Sequence, residues 1–354
     1  MTRASRAMLL SVVLLLLSSA LQARSSGRAS ALQDASQQSD AAAAQNDPLA
    51  PTLSEIRGLL DRGQASTAIA RLEALNSPDP RVRELLGVAY YRHDDYVRAI
   101  QTLSPLIGSF APDSVERREA VQVLGLSYYL AGRLPDAIPL LEQTGQWATS
   151  NAELWQVLGM AYIQTHQPDK ARVALARAFG VDPQSPGARL LAAQMMVRIE
   201  FFEMADEELR KALELDARLP HANFLLGTNA VFRNRLDDAV AYFEKELAIN
   251  PANAMALYRL GEAFSRRNDW DNAIPPLQRS LWINPFFSGP YVVLGRAYLA
   301  KQQVDTAEGM LRRAVEYDPN NKSARYLLGQ VLQRLGKEAE AKEQFAIAEK
   351  LPDK

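Results

Sequence analysis

The sequence predicts an all-α chain of about nine consecutive helix-turn-helix units stacked into a solenoid. Three columns of residues predict it. Small residues recur at Gly125, Gly159, Ala193, Gly227, Gly261, Gly295 and Gly329, each 34 positions after the last. Extended backward, the column reaches Gly87, 38 positions before Gly125, and Ile56, 31 before Gly87. Twelve positions after every one of these centres stands an alanine: Ala68, Ala99, Ala137, Ala171, Ala205, Ala239, Ala273, Ala307 and Ala341. Sixteen after stands a large apolar residue: Leu72, Leu103, Leu141, Leu175, Leu209, Phe243, Leu277, Leu311 and Phe345. Antiparallel helices approach closely only where facing positions lack bulk, and a large side chain must fill the adjoining hole. From Leu53 onward the apolar residues keep helical spacing, with no valine-rich alternating run of the kind a strand needs.

Taken in order, the chain opens on different material. Arg3 and Arg6 precede the apolar run from Ala7 to Leu17, and Ser18 to Ala20 are small. That layout predicts a secretory signal peptide over residues 1–23, with cleavage after Ala20 or Ala23. The run is shorter than the ~20 apolar residues of a spanning helix, so an uncleaved membrane anchor is the alternative. Residues 24–51 are rich in Ala, Ser, Gln and Asp with hardly a large apolar side chain, which predicts a flexible tether. Residues 52–354 then carry the units centred on the nine positions above.

Within each unit a turn is expected at Gly63, Gly132, Gly336 or a polar group such as Arg267-Asn268-Asp269. Asp182-Pro183, Asn250-Pro251, Asn284-Pro285 and Asp318-Pro319 end second helices, because proline has no amide donor and disfavours helix in the residue before it. Pro275 and Pro276 should tighten or delay the start of their helix, with Asp271 as its N-cap.

The unit from Trp155 to Pro183, with "WQVLGMAY", Ala171 and Leu175, resembles the tetratricopeptide repeat. The resemblance runs from about Leu53 to the C-terminus. It implies a right-handed superhelix in which the first helix of each unit lines a concave groove. Ile56 in place of glycine implies a loose or capping first hairpin, and Glu246 and Ser280, standing where a small apolar residue is usual, imply less tight packing in their hairpins. The asparagine that a carboxylate clamp needs after the glycine is absent: Val88, Leu126, Met160, Gln194, Thr228, Glu262, Arg296 and Gln330 occupy those places.

On the first helix, positions 6 and 3 before the glycine and 1, 4 and 5 after it share a face. In the early units that face carries Arg81, Glu84, Tyr91, Arg92, Glu119, Tyr129 and Glu153. In the later ones it carries Arg198, His221, Phe224, Phe232, Tyr258, Glu262, Arg266, Arg296, Tyr326 and Arg334, four arginines against one acid. The predicted partner-binding residues are Tyr91, Tyr129, Arg198, Phe224, Phe232, Tyr258, Arg266, Arg296, Tyr326 and Arg334. The expected partner is a protein or peptide segment bearing acidic side chains or a free carboxylate, held by arginine pairing and aromatic contact. A solvated polar face is the alternative, and Glu262 and Arg266, four apart, could simply pair.

Other functions fit less well. Forty basic and 41 acidic residues nearly cancel, which weighs against nucleic acid as partner. Absence of cysteine excludes disulfides, thiolate metal sites and a thiol nucleophile, and the three histidines show no ligand spacing, so no metal or cofactor is expected. Gly329 to Lys337 only loosely matches a phosphate loop. The acidic pairs Asp94-Asp95, Glu207-Glu208 and Asp237-Asp238 are assigned to helix starts. With signal, tether and nine units assigned, almost no chain is left for a catalytic domain. The sequence therefore predicts an exported, non-catalytic interaction scaffold. A membrane-held assembly or retention factor and an RNA-binding helical repeat are the alternatives.

Overall fold

The computed structural model describes residues 47–352. The signal peptide assigned to residues 1–23 and nearly all of the tether lie outside them. Among the described residues there are eighteen α-helices, one 3-10 helix and no strand, and none of the helices is long and apolar enough to cross a membrane. They form two compact bodies, one ending at Pro183 and one starting at Gln184.

The N-terminal body holds α1 (Ala50–Asp61), α2 (Ala65–Leu75), α3 (Pro80–Arg92), α4 (Tyr96–Leu103), a 3-10 helix (Ser104–Ser109), α5 (Val115–Leu130), α6 (Leu134–Trp147), α7 (Ala152–Gln164) and α8 (Pro168–Phe179). Helix α1 starts two residues inside the stretch assigned to the tether, with proline in its first turn, where a missing amide donor costs nothing. The 38-residue step between Gly87 and Gly125 is absorbed by the 3-10 turn that follows the short α4.

The C-terminal body holds α9 (Pro186–Arg198), α10 (Phe202–Leu215), α11 (Ala222–Phe232), α12 (Leu236–Ile249), α13 (Ala254–Arg266), α14 (Trp270–Ile283), α15 (Ser288–Ala300), α16 (Val304–Tyr317), α17 (Lys322–Arg334) and α18 (Glu338–Lys350). In both bodies successive helices pair as hairpins, and within each body the hairpins pack on their sequence neighbours.

The columns meet as their sizes require. A Cβ on Gly159 would lie 2.6 Å from Leu175 Cγ, and one on Gly227 would lie 2.6 Å from Phe243 Cε1. Every alanine of the second column is fully covered except Ala341, which is 2 % exposed. Hairpins reverse at one further column, seven after each centre. Gly63, Gly132 and Gly336 adopt positive φ there, but so do Asp94, His166, Glu200, Asn234, Asn268 and Gln302. Left-handed backbone costs a Cβ-bearing residue roughly 1–2 kcal/mol, which the packed helices on either side impose.

Four local expectations change. Glu246 and Ser280 do not loosen their hairpins; each uses its polar group on the first helix of its own unit. The fully buried Glu246 carboxylate accepts from the backbone N–H of His221 at 2.9 Å and of Phe224 at 3.3 Å. It thereby caps the start of α11, whose own N-cap residue, His221, makes no side-chain cap bond. Ser280 Oγ donates to the Ala254 carbonyl at 2.8 Å. Pro275 and Pro276 do not delay α14, which begins at Trp270 with Asp269, not Asp271, as N-cap. The prolines sit six and seven residues into it, and the carbonyls they leave without a donor belong to exposed Asp271 and Asn272, where water serves. Among the acidic pairs, Asp95 does cap α4. Glu208, by contrast, lies mid-helix, buried, on Arg189 at 2.8 Å. Such a carboxylate gains more from a guanidinium than from the dipole of a distant helix end.

Candidate functional site

The first helices set the candidate face in each body. In the N-terminal body, α3 and α5 bring Tyr91 and Tyr129 into packing, not onto an open surface. Tyr129 is 9 % exposed and Tyr91 half-buried. Burial pushes both phenols up to about 12. The same face holds a cluster that periodicity placed there without assigning it a role. Arg57 from α1 lies 3.2 Å from Glu84 on α3 and 2.7 Å from Glu119 on α5.

In the C-terminal body the predicted residues divide. Phe224 is half-buried and packs on Phe243 at 5.9 Å, so it supports the face more than it forms it. Phe232 stands 67 % exposed, its ring stacked on Phe202 at 5.4 Å, and the Arg233 guanidinium lies 5.9 Å from the Phe202 ring centre. Arg198 is exposed at the end of α9 and lies on the Met195 thioether. Tyr326 is half-exposed against Phe345 at 5.5 Å, and Arg334 is exposed in the last turn of α17.

Tyr258, Arg266 and Arg296 do come together. Tyr258 on α13 packs edge-on to Phe287 at 4.9 Å, with the Arg259 guanidinium 5.5 Å from its ring centre. Glu262, one turn on, receives Arg259 at 2.7 Å and Arg266 at 3.1 Å. Arg266 is thus paired, as its spacing from Glu262 allowed. Exposed Arg296 on α15 contributes a third guanidinium close enough to act on Tyr258. Burial and the Glu262 charge raise the Tyr258 hydroxyl, and the three arginines oppose that rise. One carboxylate facing three guanidiniums leaves a positive surplus beside an aromatic ring. The periodicity argument missed Arg259, which precedes Glu262 by three residues. Counting i,i+3 pairs as well as i,i+4 pairs would have found it.

Among the described residues no cluster of three His, Asp or Glu is placed to hold a metal ion. The arrangement offers pairing and stacking to a ligand.

No curated protein sequence matches the chain. Among solved structures, PilF of Pseudomonas aeruginosa aligns over 55% of this chain and 88% of its own, at 19% identity and a TM-score of 0.46. MamA from Desulfovibrio magneticus RS-1 aligns over 47% and 94%, at 23% identity and 0.44. A tetratricopeptide repeat protein from Parabacteroides merdae aligns over 70% and 96%, at 15% identity and 0.38. One model of the tetratricopeptide repeat matches residues 53–114, 224–286 and 292–353, together more than half of the chain, and a second matches 128–195. With glycine facing leucine or phenylalanine across hairpin after hairpin, the chain belongs to the tetratricopeptide repeat family, a fold that serves as a scaffold for protein–protein interaction.

Proposed function

We propose that the protein is an exported, non-catalytic scaffold whose C-terminal body binds a protein segment bearing acidic side chains or a free carboxylate on its first-helix face. The observation that carries this reading is the surplus around Tyr258, where Arg259 and Arg266 share one acidic partner, Glu262, and Arg296 adds a third guanidinium. An arriving carboxylate can take Arg296 directly and compete with Glu262 for Arg266, a charge-assisted exchange that adds hydrogen bonds without burying an unpaired charge. Phe232, exposed on the neighbouring first helix, offers an aromatic surface for an apolar side chain. Reversing Arg266 and Arg296 to glutamate should reduce capture of such partners from the native compartment by about tenfold or more, a loss of ~1.4 kcal/mol or greater. Capture of the same partner set by both proteins at low salt would defeat the proposal.

Export rests on Arg3, Arg6 and the apolar run from Ala7 to Leu17. N-terminal sequencing of the protein recovered from its producing cells should read from Leu21 or Arg24. A sequence that begins at Met1 or Thr2 supports instead a membrane-held assembly or retention factor, with the N-terminal run as its anchor.

A further inference from the structure

The charge surplus has the opposite sign in the N-terminal body, and there it surrounds a buried group. Arg57 on α1 is shared by Glu84 Oε2 on α3 and Glu119 Oε2 on α5. Glu84 is fully buried, and its other oxygen, Oε1, has no hydrogen-bond partner. Glu116, one turn before Glu119, adds a third carboxylate to the field on Arg57 and Glu84. Beside this cluster, on the first helices of three consecutive hairpins, opens a cavity of about 280 Å³. Leu53, Leu85 and Ser54 line it, together with Arg57, Arg81 and Glu116. Neither guanidinium is spare: Arg57 holds two glutamates, and Arg81 holds Asp47 and Asp79. Two basic groups therefore face five acidic groups, and one of the five, Glu84, is a buried carboxyl with one oxygen that no donor reaches and with Glu119 close enough to share its proton.

We propose that the first-helix face of the N-terminal body binds a lysine or arginine side chain of a polypeptide partner. The aliphatic stem would lie along Leu53 and Leu85, and the cationic head would meet Glu116 and Glu119, with Glu84 as the buried charge that it neutralises. Leucine walls suit a methylene stem, and carboxylates at the rim suit its charged tip. A carboxylate that must be desolvated is stabilised once a second cation shares its field.

In the free protein a proton does that work. Burial, then the neighbouring Glu119, push the Glu84 carboxyl up to about 8, against the pull of Arg57. Glu116 and Glu119 from α5 raise it, Arg57 from α1 lowers it, and Arg81 on its own helix is already committed to Asp47 and Asp79. Below that pH Glu84 is neutral and the site attracts a cation less; above it Glu84 is ionised and attracts one more. Binding should therefore strengthen with pH and release a proton. The sign for the free fold is the reverse. A carboxyl that titrates higher in the folded than in the unfolded chain takes stability away as pH rises from about 4.5 to about 8.

The test uses the full chain and an octa-arginine peptide, whose guanidiniums stay charged throughout, titrated calorimetrically at low salt in buffers of different ionisation enthalpy. The expected result is binding about tenfold tighter at pH 9 than at pH 6, with a fraction of a proton released per peptide, greatest between about pH 7 and 8 and absent at pH 9. Glu84→Gln should abolish that proton release and flatten the pH dependence. The half-exposed pair Glu116→Gln/Glu119→Gln, which leaves the core intact, should weaken binding about tenfold at pH 9. Equal affinity at the two pH values in the wild type, or unchanged affinity in the double variant, overturns the proposal. Spermidine binding as tightly as the peptide overturns its assignment to a polypeptide. These arms probe the N-terminal body alone, so their failure leaves the arginine face of the C-terminal body standing.

Discussion

Gly261→Val is expected to be among the most damaging single substitutions in the C-terminal body, at about 3 kcal/mol. A Cβ at this position would stand 2.5 Å from Leu277 Cγ and 3.0 Å from the carbonyl oxygen of Ala273. Leu277 is fully buried, so it has no empty space into which to turn, and the carbonyl belongs to the backbone of α14 and cannot turn at all. Relief requires the two helices of the hairpin to move apart, and that breaks the alanine contact as well. Valine's better helix propensity returns well under 1 kcal/mol of this. Urea unfolding followed by circular dichroism checks it: the variant should show an early transition as the affected hairpin and its neighbours loosen first. Gly309→Ala is the control, since nothing lies within 4 Å of a Cβ there and α16 should if anything gain from the change. Coincident unfolding of Gly261→Val and wild type would contradict the packing argument.

Asp206→Ala should cost about 3–5 kcal/mol. The Asp206 carboxylate, almost wholly buried, accepts from Asn229 Nδ2 at 2.8 Å, from Arg233 at 3.1 Å and from Arg235 at 3.4 Å. It ties α10 to α11 and to the turn beyond it. Removing it strands a buried amide and leaves two guanidiniums without their shared anion, so the loss exceeds that of a surface pair. Arg233 keeps Glu203 at 3.1 Å and Arg235 keeps Asp238 at 3.6 Å, which limits the damage. Thermal melting should fall by roughly 6–15 °C, and added salt should rescue little because the pair is shielded from solvent. A melting point within a degree or two of wild type would show that the network is dispensable.

The repeat was legible because it is a matter of bulk. Glycine or alanine against leucine or phenylalanine at a fixed interval has few meanings other than close helix packing, and the covered columns show that meaning in the structure. What escaped the sequence was the work of polar side chains at repeat positions. Glu246 and Ser280 looked like packing faults because periodicity registers only size; their targets are backbone groups of another helix, which no column records. Tyr129 looked like a contact residue because four positions after the glycine falls near the groove-facing side, yet its ring turns into the interface between helices. Glu84 shared a face with exposed neighbours and was nonetheless fully covered, since Arg57 from the preceding hairpin reaches over it. Arg266 was the one ambiguity that spacing alone could pose and geometry could answer: it is held by Glu262, which also holds Arg259.

The packing of each hairpin chiefly on its sequence neighbours bears on how the chain acquires its structure. The contact between a centre and its filler spans sixteen residues, and among the described residues most further helix packing is with the adjoining hairpin, the Arg57–Glu119 pair reaching one hairpin beyond. Most contacts are therefore local, so the loop-closure entropy that slows folds with long-range pairing stays small. Folding can begin at any hairpin and extend outward, and a chain still emerging from the ribosome reaches its first lasting contacts long before its last residue is made.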